Sequence, residues 1–114
     1  MRRGDIVLVS GQGDYGKPRP AVVIQSDALN TADSVLVALF TSTLRDASLY
    51  RLMIEPTAEN GLTATSQVMV DRIQAYSRLK CGDVIGRLSP ADMLSLNGLL
   101  SVMMAWLTRG RHLS

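Results

Sequence analysis

Six short runs of apolar, largely β-branched residues follow one another at close spacing, and this restricts the fold more than any other feature of the chain. They are "DIVLVS" at 5–10, "AVVIQS" at 21–26, "SVLVALFTS" at 34–42, "YRLMIEP" at 50–56, "SQVMVDRIQAY" at 66–76 and "DVIGRLS" at 83–89. Runs of this kind, bounded by Gly, Pro, Asn and Asp, read as strands. Their close spacing favours a small antiparallel barrel over a parallel α/β sheet. In the fourth run Leu52 and Ile54 share one face while Arg51, Met53 and Glu55 share the other, which marks a half-exposed strand. In the fifth, Val68, Val70 and Arg72 share a face. Asp27–Asn30 between the second and third reads as a loop or a single turn. At 114 residues the expectation is one domain, 1–114, with a core of its own.

After the strands comes "SPADMLSLNGLLSVMMAWLTRG", the one long helical pattern. Ser89 is placed as N-cap, Pro90 occupies the first helical position where its missing N–H costs nothing, and Asp92 can complete a capping box. Thr108, Arg109 and Gly110 form the expected exit. Between Asp92 and Arg109 there is no charged residue. Met93, Leu96, Leu100, Met103 and Leu107 make one stripe. Leu94, Leu99, Val102 and Trp106 widen it beyond what one end of a small barrel needs, so part of this face is expected to meet another subunit.

Composition excludes several classes. With 46% hydrophobic and 19% charged residues the chain is foldable and not disordered. The net charge of +2 says little about a polyanionic partner. Cys81 is the only cysteine and His112 the only histidine, too few for a disulfide or a zinc site. No signal peptide or transmembrane span is legible, and a cytoplasmic, metal-free protein is expected.

The glycine-rich stretch "GQGDYGKPRP" at 11–20 matches both G-x-G-x-x-G and the beginning of a Walker phosphate loop. Both motifs need a helix after the glycines to supply its N-terminal N–H groups to the phosphate. Here Pro18 replaces the magnesium-binding hydroxyl and the chain passes into a β-branched run. Residues before a proline favour extended backbone, so the stretch reads as a strand-to-strand loop. Lys17 is its candidate phosphate contact, with Gly16 and its neighbours allowing the loop to close over a ligand.

The order "RRGDIVLV", "KPRPAVVIQ", "VALFTSTL", "NGL", "SQVMVDRIQ" and "IGRLSPADM" resembles the MazF/PemK family of toxin endoribonucleases, or mRNA interferases, across nearly the whole chain. The resemblance implies a mainly β fold, a small SH3-like (CcdB/PemK-like) antiparallel β-barrel with a C-terminal helix. It also implies a homodimer through that helix that cleaves single-stranded RNA, without metal or other cofactor, until a cognate antitoxin protein occupies its groove. By motif, Arg19, Thr41 and Asp71 correspond to the family's catalytic positions and Ser42 follows the threonine. Met69 stands where some members have an arginine, and the segment from Ser10 to Lys17 lacks the histidine that others carry.

The residue chemistry agrees in part. Arg19, held between Pro18 and Pro20, suits bidentate stabilisation of a phosphorane. Its pKa, above about 12, makes it a poor proton carrier. Thr41 can offer a hydroxyl to a phosphate oxygen, and Asp71 is the candidate base. Two other readings use the same fold: a CcdB-like gyrase poison, against which Trp106 lies inside the helix and not at the terminus, and a non-catalytic RNA-binding module. One Trp, three Tyr and one Phe are few for a base-stacking platform.

Overall fold

A computed structural model describes residues 1–10, 17–47 and 49–113, with 105–113 as helix backbone. Its strands are β1 (Asp5–Val9), β2 (Arg19–Val23), β3 (Ser34–Thr41), β4 (Arg51–Ile54), β5 (Ser66–Ser77) and β6 (Cys81–Arg87), followed by helix α1 (Pro90–Leu113). Each of the six expected runs is a strand. Their bounds shift where side chains outweigh the apolar pattern. β2 begins at Arg19 because Arg19 and Pro20 pair with Val9 and Leu8 of β1, while pairing with β3 starts only at Ala21. A short 3-10 turn, Asp27–Leu29, follows β2, with the Ser26 hydroxyl accepting from the N–H of Ala28.

All pairings are antiparallel, in the order β4-β5-β3-β2-β1-β6. Among the described residues no ladder joins β4 to β6, so the sheet is open where a closed barrel is expected from sequence. The gap is bridged by the irregular segment 55–65, whose Glu59 carbonyl accepts from the N–H of Arg87 at 2.8 Å. Curling of the sheet comes from its longest strand. Ala38 pairs with Ile73 and Phe40 with Val68, so Leu39 alone faces residues 69–72 of β5. A bulge of this size bends the strand sharply. It also explains why Arg72, expected beside Val68 and Val70, is exposed: the alternation of faces is interrupted at the bend.

Alternating side chains bury both faces of the sheet. One set, including Ile6, Val22, Phe40, Val68 and Ile54, packs with Leu96 of the helix. The other, including Val7, Val9, Val23, Val35 and Val37, gathers on the opposite face with Met69. α1 starts as read: the N–H of Asp92 donates to Ser89 Oγ at 3.1 Å and the N–H of Met93 to the Ser89 carbonyl. Met93, Leu99, Leu100 and Met103 pack beside Leu96, whereas Leu94 and Val102 stay 74% and 58% exposed. Of the residues that widen the apolar stripe, Leu99 thus packs on the core side.

The helix does not leave at Gly110 but continues to Leu113. An interior glycine costs a helix only about 1 kcal/mol and does not oblige it to stop. The side chains of Trp106, Leu107 and His112 lie outside the described residues. Arg3 anchors the helix to the sheet, Nε donating to the Ile24 carbonyl at 2.9 Å and Nη2 to Asn97 Oδ1 at 2.8 Å.

Candidate active site

β2 and β3 meet with Ala21 opposite Leu39 and Val23 opposite Val37. Arg19 and Thr41 lie two residues beyond that pairing on their own strands, and both line one cavity of about 650 Å³. Its lining is apolar at Leu8, Pro20, Phe40, Leu62 and Ile85 and carries hydroxyl side chains at Thr41, Ser42, Thr43, Thr63 and Ser66. Among the described residues that line it, Arg19 alone is charged. Such a surface receives an anion at its mouth and a flat, partly apolar group against its floor.

The Thr41 hydroxyl is oriented by the chain that follows it. Its Oγ1 accepts from the N–H of Thr43 at 3.1 Å, which leaves the hydroxyl proton available to a ligand oxygen. Two residues on, the backbone of Arg45 is held by a side chain of β5: Gln67 Nε2 donates to the Arg45 carbonyl at 2.7 Å, and the Arg45 N–H donates to Gln67 Oε1 at 3.0 Å.

The facing wall is built on Asn60 and Gly61. Asn60 is 2% exposed and fully engaged. Its Oδ1 accepts from the N–H groups of Thr57 and Leu62, and its Nδ2 donates to the Glu55 carbonyl. Gly61 has φ +68°, and a Cβ there would collide with the Ile85 carbonyl; a Cβ at Gly86 would collide with the backbone of Glu59 and Asn60. The two glycines let the loop and β6 lie backbone against backbone. In the sequence, Asn60-Gly61, Thr43 and Gln67 fall within the family stretches "NGL", "VALFTSTL" and "SQVMVDRIQ" with no role assigned to them, and Thr63 falls in none.

Arg19, Thr41 and Ser42 are thus brought together. Lys17 is exposed just ahead of β2. It leads into a strand and not a helix, so the context required by either nucleotide motif is absent there. Gly16 lies outside the described residues. Asp71 is exposed at the β5 bend and is not among the residues lining this cavity. Cys81 stands apart at the start of β6; burial pushes its thiol up, against the opposing pull of Arg78, so it is a weak nucleophile. No cluster of three metal-ligating side chains occurs among the described residues.

Residues 2–104 match the family of PemK-like, MazF-like toxins of type II toxin–antitoxin systems. The chain is similar to a probable endoribonuclease MazF of Mycolicibacterium smegmatis, 40% identical over 105 residues that cover 91% of this chain and 96% of the relative. Its fold resembles a solved endoribonuclease in complex with its cognate antitoxin from a mycobacterial species (TM-score 0.78, 23% identity, 92% and 95% of the two chains). It also resembles the Mycobacterium tuberculosis toxin MazF-mt6 (TM-score 0.73, 23% identity, 85% and 92%).

Proposed function

The chain belongs to the family of PemK-like, MazF-like toxins, and on that premise we propose that it is an endoribonuclease that cleaves single-stranded mRNA and inhibits growth. The observation that carries the assignment of the site is that Arg19 and Thr41 line one cavity rich in hydroxyl side chains.

In the proposed reaction the ribose 2′-OH attacks the adjacent phosphorus, its proton passing to water. A P–O bond forms to the 2′ oxygen and the P–O bond to the 5′ oxygen breaks, that oxygen taking a proton from water. The products are a 2′,3′-cyclic phosphate and a 5′-hydroxyl. Arg19 supplies two N–H donors to the non-bridging oxygens, where charge grows in the phosphorane. Thr41 adds its hydroxyl proton, and Ser42 and Lys17 contact neighbouring phosphate oxygens. The described lining holds no carboxylate, thiol or imidazole, which suits an anion. Asp71, exposed on the β5 bend, takes no part in this step. The catalyst works by positioning and charge stabilisation, and is modest for lack of a tuned base.

Two assembly states complete the reading. The exposed apolar residues Leu94, Val102 and Met104 of α1 support a homodimer through the helix. A cognate antitoxin protein would inhibit by covering the cavity. Among the described residues no helix is long and apolar enough to cross a membrane, and membership of the toxin family supports a place beside mRNA in the cytoplasm.

The test is incubation with a long single-stranded RNA in EDTA, with end-group analysis and an Arg19→Ala control. Discrete fragments with 5′-hydroxyl ends, lost in the control, are expected. Intact RNA beside a folded protein would overturn the reading.

A further inference from the structure

Gln67 is an unusual residue for its place. It is 4% exposed, in a strand whose neighbours Ser66, Val68 and Val70 are also buried, and a buried amide must find partners for both of its ends. It finds both on Arg45, as donor to the carbonyl and acceptor from the N–H. Its own Cα pairs with Thr41, at the end of the β3–β5 ladder. The chain leaves the sheet after Thr41, and four residues later the side chain of Gln67 offers Arg45 the two bonds that a neighbouring strand would have given. The excursion 41–45 is therefore closed at both ends by one residue, by its backbone position at Thr41 and by its amide at Arg45.

Within that closed excursion lies the Thr43 N–H that orients the Thr41 hydroxyl. We propose that Gln67 is a positioning residue for RNA cleavage, fixing the segment Thr41–Arg45 so that the Thr41 hydroxyl meets the phosphate in the cavity. The inference rests on the active-site reading above. Gln67 does not line that cavity and touches no reacting atom there. Its effect passes through the loop backbone, whose misplacement by even about an ångström costs catalysis steeply.

The test uses the full chain with Gln67→Met, which keeps the side chain's length and apolar packing but removes both bonds. Amide hydrogen exchange should quicken by roughly 10-fold at Arg45 and Thr43, the scale of one lost hydrogen bond, with Val22 and Ala38 in the central sheet unchanged. On RNA, kcat should fall about 10-fold with KM within about 2-fold, as expected for an interaction realised in the transition state. In a Thr41→Val background the same change should cost little more, because the group being positioned is gone. Full kcat in Gln67→Met, unchanged exchange at Arg45, or losses that simply multiply would each overturn the inference. Should Gln67→Met fail to fold, Gln67→Glu keeps the acceptor and loses the donor, and wild-type kcat in it would be equally fatal. A Thr41→Val variant that cleaves at the wild-type rate would sink the active-site reading as well. An impaired Thr41→Val beside a fully active Gln67→Met would sink this inference alone.

Discussion

The N–H of Thr43 donates to the Oγ1 of Thr41 at 3.1 Å, so the hydroxyl of this cavity-lining threonine is used as an acceptor and keeps its proton to donate. A single oriented donor to a charge that develops in the transition state is worth about 10²–10³ in kcat. Thr41→Val should lose about that much, while Thr41→Ser, which keeps the hydroxyl, should stay within several-fold. Steady-state cleavage of a short RNA, with melting curves to confirm folding, measures both.

Gly61 should tolerate no side chain. Its φ of +68° costs an L-residue roughly 1–2 kcal/mol, and the collision with the Ile85 carbonyl adds to this. Urea unfolding of Gly61→Ala should show a loss of at least that size. An equally stable variant would mean that the 55–65 loop can move away from β6.

Leu96 and Leu94 are near neighbours on one helix with opposite surroundings. Leu96 is completely buried, so Leu96→Ala should cost about 2–5 kcal/mol in chemical denaturation of the fold. Leu94 is exposed, so Leu94→Asp should leave the fold standing and weaken self-association, read by sedimentation at several concentrations. A Leu94→Asp protein that remains as dimeric as wild type would remove this helix face from the interface.

Cys81 provides a pH probe. Desolvation raises its pKa in the folded state, Arg78 opposing, so less thiolate is present at a given pH than in the unfolded chain. Alkylation by iodoacetamide should therefore be slower folded than in urea at neutral pH, and the folded rate should climb only at more alkaline pH. Equal rates at pH 7 in both states would contradict this.

Local signals in the chain specify local structure. β-branched runs and the Ser89-Pro90 start of α1 depend on neighbours in sequence, and each is found where it was expected. Arg19 and Thr41 were legible because short motifs carry them. Asp71 was legible as a motif position, but its surroundings were not: the bend that turns it outward arises from a mismatch of residue numbers between β3 and β5, and neither strand states that alone.

What the amino-acid order determined by itself was the set of six strands, the closing helix and the polar residues available for chemistry. Tertiary structure decided that the sheet stays open between β4 and β6, which side of α1 is core, and that Arg19 and Thr41 share a cavity. It also decided two partnerships between distant segments, Gln67 with Arg45 and Gly61 with Ile85. The physical reason is one of range. Propensity and capping act over a few residues of chain, whereas register, bulges and buried hydrogen bonds are settled between segments that meet only when the sheet curls.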